Sequence, residues 1–147
     1  MKSVVQRVKQ AEVVVDGLRV ARIGKGILAL VAISREDTKE DLLWMARKIT
    51  ELRIFNDGQG KLNLSLNEIG GQLLLVSQFT LYGDCKKGRR PSYSEAAAPA
   101  EAESLYKEFV EIVRQLVPDV QTGQFQAMMD VMLTNWGPVT LIIDSRK

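Results

Sequence analysis

Apolar and polar positions in the first third of the chain alternate at the period of a β-strand. KSVVQRVKQAEVVV and LRVARI read as two strands. Between them stands Asp16-Gly17, a dipeptide suited to the positive φ values of a tight hairpin. Gly24-Lys25-Gly26 then turns the chain into ILALVAIS, a continuous apolar run of the kind found in strands covered on both faces. From Asp37 the period lengthens. Leu42, Met45, Ala46, Ile49 and Leu52 recur at helical spacing, and Glu40, three residues after Asp37, makes a variant of the capping box. LNLSL, a Gly70-Gly71 turn and the buried-looking QLLLVSQFTL return to strand. A polar loop, YGDCKKGRRPSYSE, leads to a second helix opening near Pro99, with Ala102, Leu105, Tyr106, Phe109, Val113 and Leu116 on its apolar face. VQTGQF, MMDVML and VTLIID read as closing strands.

This order predicts an α/β fold: one domain over residues 1–147, mixed or antiparallel β structure, and two main helices packed on one side. Between the last two strand patterns lies Gly137-Pro138. Proline has no N–H to give to a ladder, so residue chemistry places a turn or an edge here. A cis bond before proline costs only ~0.5–1 kcal/mol, so tertiary contacts can select it.

Composition narrows the chemistry. The chain has 147 residues, 46% of them hydrophobic, and no apolar run long enough to span a bilayer. Its start lacks the apolar core of a signal peptide, and its single cysteine fits a reducing cytoplasm. Net charge is only +2, so any nucleic-acid contact has to come from a local patch. The most restrictive count is zero histidines, which removes the usual general base, the His-dependent nucleophile arrangements and the commonest metal ligand. No metal or organic cofactor is expected.

Three stretches are candidates for chemistry. Ser77, Gln78, Phe79 and Thr80 lie where a buried strand gives way to a polar loop, a common position for binding groups. Residue types alone leave Ser77 and Thr80 open between reacting hydroxyls and ordinary hydrogen-bonded ones, since a hydroxyl nucleophile needs a base. Lys86, Lys87, Arg89 and Arg90 put four cations into five residues. They suit phosphate, as they would suit a merely solvated loop, and Tyr82 and Tyr93 flank them in the manner of single-strand binders. Cys85 adjoins two lysines but has no histidine to pair with. Arg7, within the first strand, either meets a buried partner or snorkels from a sheet surface.

Together the segments VVQRV, LRIF, KLNLSL, GGQLLLVSQFTLYGD, KKGRRPSY and NWGPVTL resemble the D-aminoacyl-tRNA deacylases, a family of tRNA-proofreading hydrolases. SQFTLYGD and NWGPVT at this spacing carry most of the resemblance, which runs over essentially the whole chain. Three positions depart from the family pattern: Gln126 where glycine is common, Gly83 where alanine is frequent, and Trp136 at the variable place before Gly-Pro.

The resemblance implies a two-layered β structure with helices outside, in a homodimer with its active site at the subunit interface. Residues 77–80 of one subunit would form the pocket floor. Gly137-Pro138 of the other would enter as a cis dipeptide, with Arg7, Met129 and Asn135 around it, and would reject L-amino acids. The implied reaction is hydrolysis of the ester between a D-amino acid, or glycine, and the 3′-terminal ribose of tRNA. The N–H groups of Phe79 and Thr80 are then candidates to bind the oxyanion, with the ribose 2′-hydroxyl helping to activate water. Thr80 as nucleophile is the rival mechanism. A non-enzymatic nucleic-acid-binding module using the basic loop is the alternative from a different class.

Overall fold

The computed structural model describes residues 1–146. Its spine is β1 (Lys2–Val15), which exchanges partners along its length. The hairpin to β2 (Leu18–Ile23) turns at Asp16 and Gly17, with φ of 50° and 77°, as the Asp-Gly pair predicts. β2 pairs with residues 11–15 of β1, whereas β3 (Gly26–Ala32) pairs with residues 2–8 on the same edge.

After β3 come α1 (Lys39–Glu51), the short hairpin of β4 (Phe55–Asn56) and β5 (Leu62–Leu64), and β6 (Gln72–Ser77), which lies parallel to β3. α2 (Pro99–Leu116) makes a second crossover to β7 (Val120–Thr122), parallel to β6. Parallel neighbours need such crossovers, and these two place both helices against one sheet face. β8 (Asp130–Asp144) covers the other edge of β1.

Alternation along β3 and β6 divides two cores. Ile27, Ala29, Val31, Leu73 and Leu75 face the helices, meeting Leu42, Met45, Ile49, Phe109 and Val113. Leu28, Leu74 and Val76 face the other way, onto Val8, Val13, Ala21 and Ile23. Fully burying each of these larger side chains stabilises the fold by roughly 1.5–3 kcal/mol. The second core exists because β2 and the far half of β1 fold back over β6 and β7. One bent sheet therefore supplies two β layers.

Three boundaries differ from the sequence reading. The first helix is capped by Thr38 rather than Asp37, with Asp41 accepting from the Thr38 N–H (2.9 Å) and hydroxyl (3.0 Å). Asp37 is otherwise engaged: its carboxylate accepts from the Met1 ammonium at 2.6 Å and the Ser34 N–H at 2.7 Å. Burial opposes ionisation of Asp41, but hydrogen bonds from Ser145 and Thr38 outweigh it and hold this carboxyl below its usual range.

The strand at QLLLVSQFTL stops at Ser77, and residues 79–82 form a 3-10 turn. At Gly137-Pro138, where a turn or an edge is expected, the chain does not turn back and lies on an edge strand. MMDVML and VTLIID belong largely to one strand, β8, which runs through the dipeptide.

Candidate active site

β6 ends at Ser77 on the rim of a groove of about 960 Å³. Ser77, Gln78, Phe79 and Thr80 form one wall, the start of α2 with Ala96, Ala97 and Ala102 a second, and the segment from Phe125 to Val131 a third. The 3-10 turn (Phe79–Tyr82) fixes the first wall. The Gln78 N–H donates to the Val31 carbonyl at 2.8 Å, tying the end of β6 to β3. The turn's own first bond runs from the Leu81 N–H to the Gln78 carbonyl at 3.2 Å. The N–H groups of Phe79 and Thr80 precede that bond, and the leading amides of a helical turn have no acceptor within it. Among the described residues neither N–H meets an acceptor, so two adjacent backbone donors are left on residues of the groove wall.

Side chains in the groove offer little acid–base chemistry. Among the described residues that line it, only Tyr93 is titratable. The Thr80 hydroxyl accepts from the Gln78 carboxamide, which is not a base. Ser77 is half-buried and Phe79 exposed, its ring meeting Tyr93 edge-on with centroids 5.1 Å apart. Tyr106, from α2, donates to the Leu75 carbonyl at 3.1 Å and packs against Phe125. Burial raises its phenol pKa well above the ordinary value, so it remains a neutral donor steadying β6 and the groove's far wall.

Gln126 lies on that far wall with φ 61°, in the left-handed region that favours glycine. The glycine common in the resembling family at this place therefore has a backbone reason. Gly123 leaves room for Met129, whose sulfur would lie 2.8 Å from a β-carbon there.

Gly137-Pro138 lies elsewhere in the chain, and neither residue lines the groove. The peptide bond between them is cis. In the β1–β8 ladder Val8 faces Asn135 and Gln6 faces Thr140, so residues 136–139 bulge out opposite Arg7 alone. Asn135 straps this bulge, accepting from the Val139 N–H at 2.9 Å and donating to the Thr140 hydroxyl at 3.0 Å. Arg7 holds it from beneath. Its Nε donates to the Trp136 carbonyl at 2.7 Å and its Nη1 to the Ile54 carbonyl at 2.7 Å. The guanidinium also sits 4.7 Å from the Trp136 ring centroid, with Lys25 4.8 Å from the same ring.

Arg7 is 5% exposed, and desolvation lowers its pKa. Of the two sequence readings of Arg7, the buried one holds, with neutral carbonyls as partners instead of a carboxylate. Within one chain Arg7 meets the dipeptide, whereas Met129 lies in the groove.

The basic run occupies a loop clasped where Asp84 and Ser92 exchange backbone hydrogen bonds of 2.8 and 3.0 Å. Lys86, Lys87, Arg89 and Arg90 are all exposed, and among the described residues none forms an ion pair. The loop leaves the groove at the 3-10 turn and returns to it at Tyr93, and none of the four cations lines the groove among the described residues.

Sequence reasoning singled out the β6 wall but missed the α2 wall. Its only visible signal was a run of small residues, Ala96 to Ala98, before Pro99.

Comparison with known proteins agrees with this fold. The family model described as D-Tyr-tRNA(Tyr) deacylase matches residues 4–144. The chain is 57% identical over 146 residues to a D-aminoacyl-tRNA deacylase of Desulfatibacillum aliphaticivorans, covering 99% of this chain and 100% of that one. It is 56% identical over 147 residues to a D-aminoacyl-tRNA deacylase of Bacillus velezensis, with complete coverage of both. A solved structure described as c-Myc DNA Unwinding Element Binding Protein superposes with TM-score 0.94 at 41% identity, over 98% of each chain. The chain belongs to the D-Tyr-tRNA(Tyr) deacylase family.

Proposed function

We propose that the protein hydrolyses the ester linking a D-amino acid to the 3′-terminal ribose of tRNA, and that it spares L-aminoacyl-tRNA. Family membership and full-length relatives named D-aminoacyl-tRNA deacylase support the reaction class. The observation that carries the mechanism is the pair of unengaged backbone donors at Phe79 and Thr80. Water adds to the ester carbonyl carbon, the carbonyl oxygen takes up negative charge, and these two N–H groups bind it. One such donor contributes about 2.7–4 kcal/mol to the transition state. The bond to the ribose 3′-oxygen then breaks, and that oxygen leaves with a proton that came from the water. With no histidine in the chain and no carboxylate or lysine lining the groove among the described residues, the ribose 2′-hydroxyl, on the carbon next to the leaving oxygen, relays that proton.

Selectivity is the harder requirement, because discrimination by 10³ needs about 4 kcal/mol. Backbone groups suit it better than side chains, since they present the same wall to every amino acid. In our reading the protein is a homodimer in which Gly137-Pro138 of the partner subunit enters the groove and forms this wall. Three observations support the arrangement. The dipeptide is exposed, it lies outside the groove of its own chain, and β8 is an edge strand exposing Met132, Leu133, Leu141 and Ile142. Glycine has no side chain to reject, so glycyl-tRNA is also a substrate. The loop cations take acceptor-end phosphates, and the terminal adenine stacks in the groove. Charged tRNA is consumed in the cytoplasm, and we place the protein there.

The alternative, a binding module that uses the basic loop without catalysis, is not favoured. It gives no reason for backbone donors to be left free in the groove. Incubation of purified protein with D-Tyr-tRNA separates the two. Release of free D-tyrosine is expected, whereas a gel shift without release would overturn the enzymatic reading.

A further inference from the structure

We propose that Asn56, on the small hairpin outside the main sheet, is a positioning residue for the Gly137-Pro138 bulge, acting through Arg7; the inference rests on the dipeptide's proposed role in rejecting L-amino acids. The observations form a chain of contacts. Arg7 is a buried cation without a carboxylate partner among the described residues, so three neutral acceptors, together with the Trp136 ring, fix its orientation. Two of these are backbone carbonyls, those of Trp136 and Ile54. The third is a side chain: Asn56 Oδ1 accepts from Arg7 Nη1 at 2.9 Å.

Nη2, on the same planar fork, lies directly against Gly137. A rigid guanidinium transmits any rotation at Nη1 to Nη2 and to Nε, which holds the Trp136 carbonyl. The Asn56 amide is itself oriented from behind. Its Nδ2 donates to the Gly60 carbonyl at 3.3 Å, within a turn where Gly60 donates to the Asp57 carbonyl and Asp57 Oδ1 accepts from the N–H groups of Gln59 and Lys61. The β4–β5 turn thus sets Asn56, Asn56 sets Arg7, and Arg7 sets the bulge. The hairpin packs its Phe55 ring towards Trp136, with centroids 6.4 Å apart, so the same element approaches the bulge from two sides.

Asn56 is exposed, so replacing it removes no apolar burial and the variants should fold. Asn56→Ala is expected to lower the ratio of D- to L-Tyr-tRNA hydrolysis by about tenfold, because one hydrogen bond to a charged group is worth at least that factor. The change should come from faster hydrolysis of the L-ester, with kcat for the D-ester little altered. Asn56→Asp loses the Nδ2 donor to Gly60 but puts a full negative charge on the acceptor facing Arg7 Nη1. That charge-assisted bond holds the fork without the Gly60 support, so this variant should retain the wild-type ratio.

A second readout is independent of activity. Trp44 and Trp136 are the chain's two tryptophans, so a Trp44→Phe background isolates the Trp136 ring beside Arg7. Its emission should shift with Asn56→Ala and not with Asn56→Asp. An unchanged ratio together with unchanged emission in Asn56→Ala overturns the proposal, as does an equal loss towards both enantiomers. If the wild-type protein hydrolyses neither ester, the functional reading fails, and the emission measurement alone then decides whether Asn56 places Arg7.

Discussion

Arg7 lies against Gly137 so closely that a β-carbon at residue 137 would overlap Nη2 of the guanidinium. Gly137 also has φ 132°, in the range where only glycine is unstrained. The two constraints coincide at the one place where β8 leaves its ladder. Gly137→Ala is therefore expected to destabilise the protein by about 1–3 kcal/mol. It should also displace Arg7 and erode discrimination between enantiomers. Thermal denaturation alongside D- and L-ester hydrolysis checks both effects.

Thr80 is expected to act through its N–H and not through its hydroxyl. Thr80→Ala should keep turnover within roughly tenfold of wild type, whereas loss of a true nucleophile costs several orders of magnitude. Exchanging the amide of residue 80 for a backbone ester removes the N–H alone and should lower kcat by about 10²–10³. Single-turnover assays on the two variants separate the mechanisms: a collapse in Thr80→Ala that Thr80→Ser restores would instead establish the hydroxyl.

At Gln126 the prediction concerns stability. Its φ of 61° is one that glycine adopts freely and a β-branched residue resists. Gln126→Val is expected to be about 1–2 kcal/mol less stable than Gln126→Gly. Urea denaturation of the two variants measures the difference directly.

The basic loop should govern affinity and leave the chemistry alone. Replacing Lys86, Lys87, Arg89 and Arg90 with alanine is expected to weaken tRNA binding at low salt. It should also flatten the salt dependence by about 0.7–0.9 in log–log slope for each phosphate no longer neutralised. Hydrolysis of a minimal substrate, a D-aminoacyl ester of adenosine, should be unaffected.

Much of this fold was legible in the sequence because local physics and the final structure agree. Asp16-Gly17 supplies its own turn, and the unbroken apolar runs of β3 and β6 require cover on both faces. Pro99 opens α2 where its missing N–H is not needed. What escaped depends on distant partners. Asp37 does not cap α1 because the Met1 ammonium, 36 residues away in sequence, occupies its carboxylate. The change from apolar to polar residues marks the end of β6 only loosely, and the apolar Phe79 and Leu81 hide the 3-10 turn that begins directly after it.

Gly137-Pro138 reads locally as a hairpin. β8 nonetheless continues through it, because Arg7 and Asn135 together hold the excursion and return the chain to register. Both motifs were visible in the sequence and the resemblance implied that they act from different subunits; the structure adds that Gly137-Pro138 lies outside the groove of its own chain.

Chiral proofreading by this protein is decided by one paired measurement: time courses of D-Tyr-tRNA and L-Tyr-tRNA deacylation by the same preparation. The predicted result is rapid release of D-tyrosine with the L-ester surviving, at a rate ratio of about 10³ or more, equivalent to about 4 kcal/mol. Equal hydrolysis of both esters, or of neither, would contradict it.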